Sequence, residues 1–166
     1  EDAGVPSAIQ KTIPHIEAFI DALVPKIQSG GRLFYVGTGT SGRLGVLDAA
    51  ECPPTFSTNP DMVQGIIAGG YDALVKSIEG AEDIPDDGAG AILNYEIKAE
   101  DVVLGITACS STPYVLGALE KAKAIGAMTG LLLCNIPPKL KYVDHIISVI
   151  VGPEVITGST RMKAGT

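Results

Sequence analysis

The sequence reads RLFYVGTGTSGRLGVLDAAECPP over residues 32–54. Residues 32–36 are mostly apolar and predict a buried strand, whereas the glycines and hydroxyl residues of 37–43 predict a tight turn. A helix is predicted over residues 41–50, directly after this turn. A strand that passes through a small-residue turn into a helix is typical of an α/β fold with parallel strands.

The same alternation recurs along the rest of the chain. Short apolar segments rich in β-branched residues predict five strands, at residues 32–36, 62–68, 101–107, 127–134 and 145–151. The predicted helices cover residues 7–28, 41–50, 72–78, 86–98 and 113–124. Pro14 and Pro25 predict breaks or kinks in the first helix, and Thr112 and Gly126 predict the cap and the end of the last one.

We expect residues 1–166 to form a single α/β domain. Residues 157–166 predict the beginning of another helix, with Thr157 or Ser159 as its cap. Only a turn or two follows that cap. The chain is therefore expected to be truncated at its C-terminus.

Composition excludes several classes of partner. The 166 residues carry 12 Lys and Arg against 19 Asp and Glu, a formal net charge of −7, so nucleic acid is not an expected ligand. The sequence has neither an apolar run of about 18 residues, which a membrane span requires, nor the pattern of a secretion signal. We expect a cytoplasmic protein, without a metal or other cofactor, whose Cys52, Cys109 and Cys134 are buried free thiols.

The first glycine-rich loop favours binding of a phosphate. Backbone amides at the start of a helix attract anions, and Gly39, Thr40 and Ser41 supply small or hydroxyl residues there. The letters also match the GxGxxG pattern of dinucleotide sites, but such a site requires an acidic residue where this chain has Gly69 and Gly70. A purely structural tight turn remains a third interpretation.

A second polar loop follows the third predicted strand. It contains a row of hydroxyl residues directly before a helix, namely Thr107, Ser110, Ser111 and Thr112. Both loops leave the carboxyl ends of parallel strands, so they can converge on one ligand. Ordinary helix capping is the alternative, although capping needs only one hydroxyl.

Two carboxylates are candidates for acid–base chemistry. Glu51 comes at the end of the helix that begins at the glycine-rich loop, where Pro53 and Pro54 are expected to force the chain out of the helix. Glu82 lies in a small-residue bend. Solvated surface carboxylates are the alternative for both, and His15 and His145 are expected to be structural or solvated.

At this point the motifs resemble a known family. Besides residues 37–56, the resemblance rests on IIAGG at 66–70, EGAED at 79–83 and GPEVITGSTRMKAGT at 152–166. Together they resemble the N-acetylmuramic acid 6-phosphate etherases, which have a sugar isomerase (SIS) domain and are related to the glucokinase regulatory protein. This resemblance implies an SIS-type, flavodoxin-like three-layer sandwich with a five-stranded parallel sheet flanked by helices.

The resemblance also implies a function. It implies a homodimer, without a cofactor or metal, that cleaves the D-lactyl ether of N-acetylmuramic acid 6-phosphate to N-acetylglucosamine 6-phosphate and D-lactate. Glu51 would donate a proton, Glu82 would be the second catalytic carboxylate, and Glu154 would contact the sugar. Gly39, Thr40, Ser41 and the hydroxyls of loop 107–112 would hold the phosphorylated amino sugar.

One departure keeps a second hypothesis open. The etherases resembled here usually carry Ser-Gly-Arg-Thr-Pro in the second loop, whereas this chain has Cys109-Ser110-Ser111-Thr112-Pro113. Loss of the arginine beside a phosphate weakens binding or changes the phosphosugar. A non-catalytic phosphosugar-binding regulatory module is therefore the alternative to the lyase, and an aldose–ketose isomerase is a third possibility.

Overall fold

The computed structural model describes residues 1–137 and 139–165. The helices are α1 (Val5–Gln28), α2 (Gly39–Phe56), α3 (Asp72–Val75), α4 (Pro85–Asn94) and α5 (Pro113–Ile125). The strands are β1 (Leu33–Gly37), β2 (Val63–Ile67), β3 (Val102–Thr107), β4 (Met128–Leu133) and β5 (His145–Ser148). Short 3-10 turns lie at Asp2–Gly4 and Lys163–Gly165.

The strands form one parallel sheet in the order β2-β1-β3-β4-β5. The predicted fold class, a five-stranded parallel sheet in an α/β sandwich, is therefore confirmed. β1 lies between β2 and β3, so the chain first adds β2 on one side of β1 and then adds β3, β4 and β5 on the other side of β1. Such a reversal opens a crevice at the carboxyl ends of β1 and β3, where α/β proteins commonly bind ligands.

Helices cover both faces of the sheet. On one face Phe19 of α1 packs among Leu33, Val102 and Leu104, and α2 crosses the same face above Tyr35. On the other face the α5 residues Val115, Ala118 and Leu119 pack with buried strand residues such as Phe34 and Val103. These strands are apolar on both faces because helices bury both, and this is why they read as short continuous apolar runs.

An ion pair joins the amino ends of β1 and β3, at the end of the sheet opposite the crevice. The Asp101 carboxylate accepts the backbone N–H of Arg32 at 2.9 Å, its guanidinium Nη2–H at 2.7 Å and the backbone N–H of Lys98 at 2.9 Å. The Asp101 side chain is only 3% exposed and that of Arg32 27%. Burial alone would raise the pKa of Asp101, but these hydrogen bonds outweigh it and lower the pKa from its ordinary value of 3.8.

We expect Asp101→Asn to lower the free energy of unfolding by about 3 kcal/mol, because it leaves the Arg32 guanidinium without its buried partner. The contribution of Asp101 should be complete above about pH 4 and lost as the pH falls through its lowered folded-state pKa, since the unfolded chain binds the proton first. Urea unfolding at pH 7 and pH 3 checks both statements. Equal losses at the two pH values would contradict this role of the carboxylate.

The prolines disturb the helices less than the sequence predicts. α1 runs through Pro14 and Pro25 without a break, and α2 continues through Pro53 and Pro54 to Phe56. The predicted exit of the chain at Pro53 is therefore wrong. Both prolines fall in the last turns of α2, where few further helical hydrogen bonds depend on them, and the helix ends at left-handed Ser57, whose N–H bonds to the Pro53 carbonyl at 2.9 Å.

Other boundaries also differ from the prediction. α3 is a single turn, and α4 ends at Asn94 instead of residue 98. The helix predicted over residues 157–166 is absent from the part that is described, which has bends and the short turn Lys163–Gly165; Thr166, its last residue, lies outside the described residues. None of the helices among the described residues has the length and hydropathy needed to cross a membrane.

Candidate phosphosugar site

The first glycine-rich loop lies at the crevice and is unusually close-packed. A Cβ atom on Gly37 would lie 2.6 Å from the Gly42 nitrogen, and one on Gly42 would lie 2.6 Å from Cγ1 of Ile67. Only glycine fits at either position, so α2 begins immediately after β1. The first N–H groups of α2 have no acceptor within the helix, and Thr38, which precedes it, makes no side-chain cap. The loop therefore presents amide donors and a positive helix end to the crevice.

The second loop lies beside the first because β1 and β3 are paired neighbours. Thr107 and Thr112 are buried, and their hydroxyl oxygens lie 2.7 Å apart. The Thr112 side chain therefore bonds to Thr107, and the predicted side-chain cap of α5 is wrong. The predicted end of the helix at Gly126 is confirmed, and this glycine adopts the left-handed conformation. Ser110 is half-buried and Ser111 is exposed, so these hydroxyls are the more accessible ones of the loop.

Glu82 lies at the junction of the two loops. Its carboxylate accepts a hydrogen bond from the Thr38 hydroxyl at 3.0 Å, and its carbonyl accepts the N–H of Tyr114 in the first turn of α5. Thr38, Gly39 and Glu82 line one small cavity of about 140 Å³. The structure thus places the predicted carboxylate next to the predicted phosphate loop.

Arg43 holds the segment that precedes Glu82. Its Nε donates to the carbonyl of Leu74 at 3.1 Å, and its Nη2 donates to the carbonyl of Lys76 at 3.2 Å. Arg43 belongs to the loop motif at residues 37–43, but the sequence alone indicates no role for it. With its guanidinium committed to two backbone carbonyls, Arg43 positions the chain between α3 and Glu82.

Glu51 lies far from this junction. It is exposed on α2, twelve residues beyond Gly39, which is about 18 Å along a helix axis. Within one chain the structure does not bring Glu51 and Glu82 together. The sequence-based expectation that the exit of the helix positions Glu51 is also wrong, because α2 continues for another turn.

Glu154 turns toward the backbone of the C-terminal segment. One of its carboxylate oxygens accepts the N–H of Lys163 at 3.0 Å and the other accepts the N–H of Ala164 at 3.0 Å. Glu154 also lines an open cavity of about 440 Å³ with Cys109 and Asn135. Its two contacts fold residues 152–165 back over the carboxyl ends of β4 and β5.

A third cavity is lined by hydroxyl residues of both loops. Thr40 and Ser41 of α2, Thr107 of β3 and Lys163 line a space of about 220 Å³. The Lys163 side chain is buried, and it had no place in the sequence-based site. The motif GSTRMKAG contained it, but nothing in the sequence distinguished a buried lysine from a solvated one.

The cysteines are free, as predicted, but they are not all buried. Cys52 and Cys134 are half-buried, whereas Cys109 is exposed, because it lies in the loop between β3 and α5. Burial tends to raise the pKa of the Cys109 thiol, yet hydrogen bonds from Thr112 and other loop residues outweigh it and lower that pKa. Among the described residues, no three His, Cys, Asp or Glu side chains cluster closely enough to form a metal site.

His15 and His145 lie away from the crevice, in keeping with their predicted structural or solvated character. His15 is exposed on α1. His145 begins β5 at the opposite end of the sheet, where its ring meets that of Phe19 edge-on at 5.8 Å.

A known family model matches most of this sequence. Residues 15–123 match the family model described as the glucokinase regulatory protein N-terminal SIS domain. The chain belongs to this SIS-domain family. The match contains both candidate carboxylates and both polar loops, but it ends before Glu154 and Lys163.

Curated relatives of this SIS domain are named N-acetylmuramic acid 6-phosphate etherase. One from Rhizobium rhizogenes is 54% identical over the whole chain, which covers 54% of that protein. Another, from Mesorhizobium japonicum, is 55% identical over the whole chain, which again covers 54% of the relative. The resemblance stated from the motifs is confirmed, and the chain spans about half the length of the curated relatives it matches.

Solved structures support the fold of the SIS domain. A phosphoheptose isomerase from Francisella tularensis superposes with a TM-score of 0.67 at 18% identity, over 89% of this chain and 81% of the other. The NanR protein of Vibrio vulnificus, solved with ManNAc-6P, superposes with a TM-score of 0.54 at 11% identity, over 88% of this chain and 48% of the other. At such identities the likeness concerns the fold.

Proposed function

We propose that this SIS domain carries the substrate site of a carbon–oxygen lyase. The reaction cleaves the D-lactyl ether of N-acetylmuramic acid 6-phosphate and yields N-acetylglucosamine 6-phosphate and D-lactate. The observation that carries the proposal is the Glu82 carboxylate, held by Thr38 at the edge of the glycine-rich loop. The name shared by relatives that match the whole chain supports the same reaction.

The phosphate is assigned to the start of α2. There the helix supplies amide donors, and Thr40 and Ser41 add hydroxyl groups. Neutral donors suit an acidic chain, whose overall charge of −7 repels a phosphosugar. Ser110 and Ser111 of the second loop are the further phosphosugar contacts in this proposal.

The chemistry requires two carboxyl groups in opposite protonation states. In the open-chain sugar the aldehyde at C1 acidifies the proton at C2, so a carboxylate base removes that proton. The C2 electron pair then forms the C2–C3 double bond as the C3–O bond breaks, and a protonated carboxyl group gives its proton to the departing lactyl oxygen. Water then adds at C3. We assign the base to Glu82 and the proton donor to Glu51.

The distance along α2 implies that two copies of the chain share each site. Leu44, Leu47 and Glu51 recur at helical spacing on one face of α2, and the two leucines are 40% and 57% exposed. A homodimer formed through this face buries the leucines and brings Glu51 of one copy toward the Glu82 of the other. The free thiols fit a reducing cytoplasm, where we place the protein.

A regulatory phosphosugar-binding module is the second candidate. Its supporting observation is the second loop, in which Cys109, Ser110 and Ser111 stand where the related etherases have Ser-Gly-Arg. A module of this kind binds the phosphosugar without cleaving it, so no D-lactate is formed. It has no chemical need for a carboxylate held at the phosphate loop, and the lyase is therefore preferred.

Product release separates the two candidates. Purified protein with N-acetylmuramic acid 6-phosphate should release D-lactate and N-acetylglucosamine 6-phosphate in equal amounts, measured by an enzymatic lactate assay and chromatography. Binding of the phosphosugar without any lactate would overturn the lyase and favour the regulatory module. Conversion of a phosphosugar to its ketose isomer would favour an isomerase.

A further inference from the structure

Lys163 is a buried cation beside the proposed phosphosugar site. Its side chain is 5% exposed, and within the described ranges 1–137 and 139–165 it is the only buried Lys or Arg. An ammonium group is costly to bury unless a charged or polar partner satisfies it. Its position therefore requires a charged or polar partner, and an anion is the strongest one.

The partner present in the structure is a carboxylate that is itself mostly in solvent. Nζ of Lys163 donates to Oε2 of Glu1 at 2.9 Å, and the Glu1 side chain is 65% exposed. The hydrogen bond and the charge of Lys163 lower the pKa of Glu1 from its ordinary value. A buried ammonium paired with one exposed carboxylate can exchange that carboxylate for one from a ligand, because Glu1 regains full hydration when it leaves.

The backbone around Lys163 is built to hold this position. Glu154 accepts the N–H groups of Lys163 and Ala164 with its two carboxylate oxygens, both at 3.0 Å. These bonds are charge-assisted and anchor the turn at both of its amides. Glu154 therefore fixes the position of Lys163 through the backbone and leaves the N–H donors of the ammonium group available.

The cavity that Lys163 lines has both polar and aliphatic residues in its wall. Thr40, Ser41 and Thr107 contribute hydroxyls, and apolar residues from four elements complete its wall, among them Ile9, Leu44, Ile106 and Leu132. Its volume of about 220 Å³ exceeds that of several water molecules. This is room for a small group that has both a methyl and a carboxylate.

Other cations near the crevice are committed elsewhere or lie in solvent. The Arg43 guanidinium bonds to the carbonyls of Leu74 and Lys76, and Arg161 is exposed. The second loop offers no cation, since Cys109, Ser110 and Ser111 stand there. Lys163 is thus the cation best placed to meet an anionic group bound in this cavity.

We propose that Lys163 binds the lactyl carboxylate of the substrate, while the start of α2 binds its phosphate. The inference rests on the proposed lyase function, whose substrate has two anionic groups. The lactyl methyl then lies against the aliphatic wall. Lys163 thereby selects a phosphosugar with a lactyl side chain over one without it. When the site is empty, the Glu1 carboxylate forms the ion pair with Lys163 instead.

Binding measurements separate the two anionic groups. The probes are N-acetylmuramic acid 6-phosphate, which has the carboxylate, and N-acetylglucosamine 6-phosphate, which lacks it. Calorimetric titrations use the protein with Glu82→Gln as the reference, so that no turnover disturbs the heats. Lys163→Met is compared in this background with Lys163→Arg and with Lys141→Met, which removes an exposed lysine at the opposite end of the sheet.

Lys163→Met should weaken binding of the lactyl compound by about ten- to a hundredfold, as expected for loss of a charge-assisted hydrogen bond. Binding of N-acetylglucosamine 6-phosphate should change by less than about threefold. Lys163→Arg should retain part of the difference between the two probes, and Lys141→Met should bind both as the reference does. Methionine preserves the length of the buried side chain, and thermal unfolding confirms that the variant is folded.

Glu1→Gln gives an independent test, because it changes a surface side chain only. It should raise the affinity for the lactyl compound by about two- to fivefold, since the ligand no longer displaces an ion pair. Equal losses for both probes in Lys163→Met would overturn the proposal and assign the lysine to the phosphate. Unchanged binding of both probes would overturn it as well and leave the lysine as the partner of Glu1 alone.

If the proposed lyase function is wrong, the experiments give a different set of results. In that case the protein without Glu82→Gln releases no D-lactate, whatever the titrations show. If the lysine proposal alone fails, lactate release is intact and the two probes respond equally to Lys163→Met.

Discussion

Glu82→Gln should lower the rate of D-lactate release about a thousandfold and leave binding of the phosphosugar within about threefold. Glutamine retains the size of the side chain and a carbonyl that accepts the Thr38 hydroxyl, but it has no basic oxygen to remove the C2 proton. The loss therefore falls on kcat. Initial rates with N-acetylmuramic acid 6-phosphate, together with calorimetric binding, measure both quantities.

Asp83→Asn is the matched control for this variant. Asp83 is the next acidic residue of the same bend and is exposed, and its backbone N–H bonds to the carbonyl of Gly80 at 3.2 Å. Its side chain can lose its charge without disturbing that turn, so the rate should stay within about twofold. A full rate in Glu82→Gln, or equal losses in both variants, would contradict the assignment of the base to Glu82.

Two inactive variants should restore each other when mixed. If Glu51 of one copy completes the site that contains Glu82 of the other, Glu51→Gln and Glu82→Gln are each inactive as homodimers. In an exchanged mixture, half of the dimers contain one copy of each, and each of these has one intact site. We therefore expect about a quarter of the wild-type activity after mixing equal amounts, since the two sites of a two-fold dimer are equivalent.

The mixing experiment has an internal control and an outcome that would contradict the shared site. Mixing either variant with a double variant, Glu51→Gln with Glu82→Gln in the same chain, should restore nothing, because no site then has both carboxyl groups. Subunit exchange is verified by mass spectrometry of the intact dimers with one variant uniformly labelled with ¹⁵N, because Glu51→Gln and Glu82→Gln otherwise have the same mass. Exchange without recovered activity would contradict a site shared between copies, and it would require Glu51 to act from within its own chain or not at all.

The sequence predicts the sheet well because parallel strands buried on both faces read as short apolar runs. It also predicts the two polar loops, since β1 and β3 each end in small and hydroxyl residues. Pairing of these two strands then places the loops side by side. Local pattern and tertiary structure agree at these positions.

The features that the sequence does not predict depend on side-chain contacts that leave no regular pattern in the sequence. The hydroxyl of Thr112 caps no helix because Thr107, five residues earlier, is its nearer partner. Lys163 is buried because Glu154 and Glu1 hold its backbone and its ammonium, and neither contact leaves a periodic signal. The prolines of α2 are a different case, because both fall in the last turns of the helix, where few helical hydrogen bonds depend on them.

Water labelled with ¹⁸O tests the lyase most directly. When the wild-type protein acts on N-acetylmuramic acid 6-phosphate in this water, elimination followed by addition breaks the bond between C3 and the ether oxygen. Mass spectrometry should therefore find one ¹⁸O in N-acetylglucosamine 6-phosphate and none in D-lactate. Label in the D-lactate, or a phosphosugar that is bound and returned intact, would contradict the lyase.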